Sequence, residues 1–553
     1  MTENLLPIKT ALFTVTNKTG VNGFARSLRE VNPSCEIIAS GGTAQTLAEN
    51  TIPFTPLSEY TGFPECFDGR VKTLHPKIAG GILMRRGVDD AMANELGIQP
   101  IDLVVCNLYD FAQACSHADR NISELMESMD IGGSTLIRGA CKNYASVTIV
   151  VDPNDYPFVL HELQQNKGKL SLATRKRLAV KGINASADYE ALLAKVLTKR
   201  LTNEETQRPR LSHGHQLPYG ENPNQQAWVY HFEDQEGIAK AKILTDKPLS
   251  YNNYEDATVA YHAAQELLEL NAKHGAAIIK HGSLCAYATG QTLSQAFQLA
   301  WEGDSKSAYG SVIAFTSSIT EELMQEIKNK FVEVLIAPEY ETSFVNWAKK
   351  AKPRLRLVQV PNLCKNPFQY KNISGGMLVQ TRKEKILSTS MEDLFTFKSD
   401  GQEKRIGIVS KQAPNPDQKG LFAFGIAAVN FAKSNAVAIV REPSPGNYQL
   451  IGMGAGQPNR VDSLQRLAIP KAIENLQEEH GYDPLYDPKT DLEKCILASD
   501  GFFPFDDSIR YAAKLGLKNC IQPGGSKRDQ EVIDAADELA VCMVFTGERY
   551  FYH

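Results

Sequence analysis

The chain has 553 residues, more than one hydrophobic core serves, so two to four domains are expected at roughly 100–200 residues each. An apolar share of 42% against 22% charged residues excludes a disordered class, and a net charge of −5 excludes a generally basic nucleic-acid surface while leaving room for a local phosphate pocket. The ten cysteines are scattered without a C-x-x-C pair, which excludes a zinc ribbon or disulfide scaffold, and no stretch approaches the roughly 20 apolar residues that cross a bilayer. A cytoplasmic protein with reduced thiols is expected, with no metal, nicotinamide, nucleic-acid or membrane partner.

The first apolar run, Ala11–Val15, is followed by a Thr16-Asn17-Lys18-Thr19-Gly20 turn and a helical pattern through Phe24 and Leu28. The same strand, turn, helix order recurs at Glu36–Ala39 before Ser40-Gly41-Gly42-Thr43, at Leu103–Val105 before Asn107-Leu108-Tyr109, and at Val147–Val151 before Asp152-Pro153. Strands alternating with helices predict an α/β fold with a doubly wound parallel sheet. Three of its loops combine small residues with cations: Thr14 to Lys18, Ser40 to Thr43, and Arg70-Val71-Lys72-Thr73. Each alone reads as an ordinary turn or a solvated face. Their joint appearance after successive strands points to backbone amides, hydroxyls and ammonium groups gathered around a phosphate monoester.

A polar, helix-breaking stretch near 203–220 sets the main boundary near residue 200, giving domains of 1–200 and 201–553. Beyond it, buried strands are expected at Ala276–Lys280, Val312–Phe315, Val334–Ala337, Ala436–Val440 and Cys495–Ala498, in two α/β lobes that divide near 370–380. The Pro443–Asn447 turn predicts a hairpin that ends beside Gly454-Ala455-Gly456-Gln457. Gln457 stands where a dinucleotide fingerprint would need glycine, so such a site is poorly supported. Glycine-rich turns follow apolar runs again at Ser499-Asp500-Gly501, Gln522–Ser526 and Phe545-Thr546-Gly547, where open α/β sheets place ligands.

The wording of these segments resembles the bifunctional AICAR formyltransferase/IMP cyclohydrolase family of purine biosynthesis over nearly the whole chain. In the first domain the resemblance runs through Arg70–Pro76, Cys106–Tyr109, Asp130-Ile131-Gly132-Gly133 and Arg138 to Asn143. It continues through Leu249–Asn253 with Asp256, Lys280-His281, Ser307–Gly310, Ser374–Gly376, Ser434-Asn435, Gly454–Gln457 and the carboxyl-terminal run. It implies a methylglyoxal-synthase-like first domain, two cytidine-deaminase-like lobes, and a homodimer.

The resemblance also implies site residues. Thr14, Lys18, Ser40, Gly42, Thr43, Arg70 and Thr73 would hold the nucleotide phosphate, with Asn107 and Gly132 beside them. Lys72, Tyr109, Asp130 and Lys142 would surround the closing ring of FAICAR. Lys280, His281 and Asn435 would carry the formyl group from 10-formyltetrahydrofolate to AICAR, and Tyr219, Asn253, Gly376, Gln457, Arg460, Phe503 and Arg549 would bind those substrates. A monovalent cation is compatible with the resemblance. Pro218 and Asn224 stand where the family usually has arginine and histidine, Leu284 and Ala286 replace a usual proline and glycine, and Asp506 a usual arginine. A proline cannot make the bidentate anion contact of an arginine. Three readings therefore stand together: a fully bifunctional enzyme, a cyclohydrolase with a weak or altered transferase, and a cyclohydrolase fused to a silent dimerisation or nucleotide-binding module.

Overall fold

A computed structural model describes residues 4–116, 120–232, 235–361, 367–383, 385–396 and 405–553. The chain separates into two compact units, Met1–Arg210 and Leu211–His553. The first ends beyond the long helix Leu172–Thr202, which Asn203 closes in the left-handed conformation.

In the first unit, strands β1 (Thr10–Thr14), β2 (Glu36–Ala39), β3 (Thr55–Pro56), β4 (Leu103–Cys106) and β5 (Thr148–Val150) pair in parallel in the order β3-β2-β1-β4-β5. Successive side chains of a strand face opposite layers, and the cores divide accordingly. Ala11, Phe13, Ile37 and Val105 pack with helices Val21–Val31 and Tyr156–Gln165, while Leu12, Ile38 and Val104 pack with Pro76–Leu83 and Ile131–Lys142. Helix Val21–Val31 forms because Val21, Phe24, Ala25 and Leu28 recur at helical spacing on one buried stripe. The strand order reverses direction between β1 and β4, and a crevice opens at that switch point, outside the carboxyl ends of both strands.

The second unit is organised by one mixed sheet of twelve strands. These are β6 (Lys242–Ile243), β7 (His274–Lys280), β8 (Ser283–Gly290), β9 (Ser311–Phe315), β10 (Val332–Ala337), β11 (Arg356–Gln359), β12 (Gly407–Ile408), β13 (Val437–Ser444), β14 (Asn447–Gly454), β15 (Ile496–Ser499), β16 (Asn519–Gln522) and β17 (Cys542–Phe545). Their order is β6-β11-β10-β9-β7-β8-β14-β13-β15-β16-β17-β12. Read outward from its centre, each half repeats one plan: an antiparallel hairpin, three parallel strands, and an antiparallel edge strand from earlier in the chain. The halves meet where β8 pairs with β14. Helices Tyr251–Glu269 and Lys419–Val429 share one core against this sheet, which explains why the second is apolar all round.

The sequence shows no repeat because the two halves share connectivity and not wording. Nor does the expected lobe division near 370–380 mark the start of the second half. It falls on a separate hairpin, Phe368–Ile373 with Gly376–Thr381, and the second half begins its sheet at Gly407.

Candidate active site

The crevice of the first unit is a cavity of about 480 Å3. Its floor is the turn after β2. Ser40 is the N-cap of helix Gly41–Glu49, but its hydroxyl donates to Thr14 Oγ1 at 3.2 Å, so the first amides of the helix stay open to a ligand. Two ammonium groups lie over this turn: a Cβ built on Gly42 would meet Lys18 Nζ at 3.3 Å, and one on Gly41 would meet Lys72 Nζ at 3.7 Å. Thr43 Oγ1 accepts from the Val15 amide at 2.9 Å and donates to its carbonyl at 3.0 Å. Asn107 Oδ1 accepts from the Thr16 and Asn17 amides at 2.6 and 2.9 Å. The β1, β2 and β4 loops are thus tied to one another before any ligand arrives. A helix N-terminus with two lysines above it is an anion site by its charge distribution alone.

Asp130 stands at the other end of the cavity. It caps helix Ile131–Lys142, its Oδ1 accepting from the Gly133 amide at 2.7 Å, and its own amide donates to the Tyr189 hydroxyl at 2.7 Å. Burial raises its pKa above the usual carboxylate value, against the amides of Gly133 and Tyr109 and the charge of Lys72, which pull it down. The two glycines after it leave room for this geometry. A side chain at Gly133 would come within 2.5 Å of Asp130 Oδ2, and one at Gly132 within 2.4 Å of Thr73 Oγ1.

Thr14, Lys18, Ser40, Gly42, Thr43, Arg70, Lys72, Thr73, Asn107, Tyr109, Asp130 and Gly132 all line this one cavity. Lys142 does not. It ends the helix that Asp130 begins, about 17 Å along the axis at 1.5 Å per residue, and lines a separate apolar cavity with Leu83, Val180 and Ile183. Local sequence also gave no sign of Glu127, which lines the same cavity and ion-pairs with Arg70.

In the second unit, Lys280 ends β7, and His281 and Gly282 form the turn into β8, with φ of 53° and 71°. Two successive left-handed residues suit the twist of a two-residue hairpin, and histidine seldom adopts that conformation. Asp256 holds the turn by accepting from the Gly282 amide at 2.6 Å, and burial raises its pKa against that bond and the nearby His281 and Lys280 charges. Lys280 Nζ donates to the carbonyls of Tyr309 and Gly310 at 2.6 and 3.1 Å. Lys433 packs on Gly282, two residues before Asn435, whose Nδ2 donates to the Gln457 carbonyl at 3.0 Å. Lys280, His281, Asn435 and Gln457 therefore belong to one neighbourhood at the centre of the sheet.

The other expected site residues lie in different settings. Asn253 is buried in a reciprocal cap with Ser250 and donates to Glu333 at 2.9 Å. Arg460 is buried against Asp500 at 2.6 Å, and Phe503 is fully buried in the core of the second half. Gly376 sits on the self-paired hairpin, Tyr219 is exposed in a loop, and Arg549 lines a second polar cavity with Arg382.

Residues 20–135 match the model of the MGS-like domain, and residues 140–471 match that of the AICARFT/IMPCHase bienzyme. The chain belongs to the AICARFT/IMPCHase bienzyme family. A relative from Persephonella marina, the bifunctional purine biosynthesis protein PurH, is 38% identical over 98% of this chain and 99% of its own. A solved structure described as ForH is 31% identical over 34% of this chain and 96% of its own, with a TM-score of 0.29. The MGS-like model spans the cavity-lining loops from Ser40 to Gly133, and the Thr14–Lys18 loop precedes its first matched residue.

Proposed function

We propose that the chain performs the last two steps of IMP synthesis, with ring closure in the cavity of the first unit and formyl transfer at the His281 turn of the second. The cavity carries the reading most directly, because one space joins the Ser40–Thr43 turn, read as a phosphate cradle, to a lysine and a half-buried carboxylate. FAICAR would lie with its phosphate on the open amides beneath Lys18 and its carboxamide toward Asp130. The carboxamide nitrogen attacks the formyl carbon and one of its protons passes to Asp130; the former formyl oxygen takes up two protons, with help from Lys72 or Tyr109, and leaves as water while the formamide N–H gives up its proton to form the C=N bond of the closed ring. An amide is a poor nucleophile, so holding both groups in contact geometry and stabilising the oxyanion supply the rate.

In the second unit the amine of AICAR attacks the formyl carbon of 10-formyltetrahydrofolate. His281 accepts the amine proton, Lys280 and Asn435 face the oxyanion, and tetrahydrofolate leaves with a proton on its nitrogen. The retained Lys280-His281 turn, held by Asp256, favours a working transferase over a silent module. In this reading the chain acts as a homodimer; the exposed apolar Leu83, Val180 and Ile183 of the first unit favour a covered face.

The test supplies purified protein with AICAR and 10-formyltetrahydrofolate while following tetrahydrofolate and IMP, with FAICAR alone in parallel. Both products are expected. IMP from FAICAR but no tetrahydrofolate would restrict the enzyme to ring closure.

A further inference from the structure

An oxyanion is best stabilised by donors already aimed at it, because a donor that must first leave another partner loses the advantage of a fixed site. Lys280 and Asn435 are both engaged: Lys280 Nζ donates to the carbonyls of Tyr309 and Gly310 at 2.6 and 3.1 Å, and Asn435 Nδ2 donates to the Gln457 carbonyl at 3.0 Å. Lys433 differs. Its amide donates to Ser283 Oγ at 3.4 Å and its carbonyl accepts from the Gly456 amide at 2.8 Å, so its backbone is pinned between the β7–β8 turn and the Gly454–Gln457 loop. Its exposed side chain lies over that turn: a Cβ built on Gly282 would meet Lys433 Cε at 3.8 Å and Nζ at 3.9 Å. Among the described residues this ammonium makes no hydrogen bond or ion pair. Glu255 feels it through space: burial and the charge of Glu221 raise the Glu255 pKa, and Lys433 is among the groups that pull it down. An exposed lysine is ordinarily a solvated charge on a loose stem. Here the backbone on both sides is fixed, and the ammonium sits beside the residue that follows His281.

We propose that Lys433 is a further catalytic residue of formyl transfer, its ammonium donating to the formyl oxygen as the tetrahedral oxyanion forms. The role rests on the proposed formyl transfer. In that reaction the amine nitrogen of AICAR bonds to the formyl carbon, the electron pair of the C=O bond moves onto oxygen, and His281 takes one amine proton. When the pair returns, the bond from the formyl carbon to the folate nitrogen breaks, and that nitrogen leaves with the proton His281 took. Lys433 keeps its own protons throughout and acts by charge and hydrogen bonding. Because its ammonium has no partner to give up, it reaches the oxyanion without the exchange that Lys280 and Asn435 must make. Glu255 offsets the free charge while no substrate is bound.

Single-turnover formyl transfer by the full chain, at saturating AICAR and 10-formyltetrahydrofolate, reads the chemical step, and steady-state KM values read substrate binding. Lys433→Met keeps the stem and removes the charge. It should slow the single turnover about 10–100-fold, the order expected for one of several oxyanion donors, with both KM values within about twofold of wild type and closure of FAICAR unchanged. A single-turnover rate within about twofold of wild type overturns the proposal. So does a raised KM for either substrate with the rate at saturation unchanged, which would make Lys433 a group that binds the ground state and the transition state alike. Thermal melts check folding, and should Lys433→Met fail to fold, Lys433→Gln decides by the same rates. Absence of formyl transfer in wild type would sink the transferase reading and the role of Lys433 with it, whereas an unchanged rate in Lys433→Met beside an active wild type sinks only the role.

Discussion

The two reaction regions are built in opposite ways. In the first unit, loops from β1, β2 and β4 converge at the switch point of a parallel sheet, where Asn107 and Thr43 accept backbone hydrogen bonds that fix the loops to one another and Tyr189 accepts one from the Asp130 amide. In the second, the proposed reacting groups sit on a hairpin turn at the middle of a twofold-like sheet, with His281 exposed and the turn held chiefly by Asp256. The difference teaches where a sequence match carries a site. At a switch point, successive loops must meet, so matched residues come together; around a repeated lobe, matched residues are as often part of the frame, as Asn253, Arg460 and Phe503 are.

The sharpest way to break the comparison is to remove one charge on each side. Asp130→Asn keeps a good N-cap while deleting the acceptor, so closure of FAICAR should fall by about 10²–10⁴ with formyl transfer retained, measured by IMP absorbance and tetrahydrofolate release. His281→Ala should lower formyl transfer by about 10²–10³ and leave closure unchanged in the same assays.

A smaller change probes preorganisation. Gly133→Ala would press a methyl group to 2.5 Å from Asp130 Oδ2, so the carboxylate must move. Closure should slow more than tenfold, and the melting temperature of the first unit should drop, consistent with about 1–3 kcal/mol of overpacking. Tyr189→Phe removes the acceptor of the Asp130 amide at a cost of about 1 kcal/mol and should reduce the kcat of closure several-fold with little change in KM.

The pH dependence separates activity from stability. In the proposed closure Asp130 works as a carboxylate, and burial raises its pKa, so closure should fail on acidification at a pH above the ordinary aspartate value of about 4. The same raised pKa means that Asp130 favours the folded state below that value and loses this contribution as pH rises through its folded pKa. Activity and this stability contribution thus run in opposite directions across one window, and Asp130→Asn should abolish both slopes. Rate profiles and thermal melts across pH 4–7 check this.

Much of this architecture was legible because its signals are local. The apolar runs at Ala11, Glu36, Leu103 and Ala276 became strands within two residues of where pattern placed them, and the turns after the first two line one cavity. What stayed hidden depends on distance. The pairing of Arg460 with Asp500 and of Arg70 with Glu127 crosses 40 and 57 residues, and nothing near either arginine announces it. The resemblance places Lys142 with Asp130, yet the helix between them carries Lys142 to a separate cavity. The β7–β8 hairpin had a signal, His281-Gly282 between two apolar runs, and its turn became readable only once both residues showed positive φ.

The central claim is that two separate sites act in sequence through FAICAR, and complementation tests it most directly. Asp130→Asn protein supplied with AICAR and 10-formyltetrahydrofolate should release tetrahydrofolate and accumulate FAICAR without IMP, His281→Ala should do neither, and mixing the two should restore IMP. Loss of both reactions in either folded variant, or IMP formed from AICAR by Asp130→Asn alone, would contradict the account.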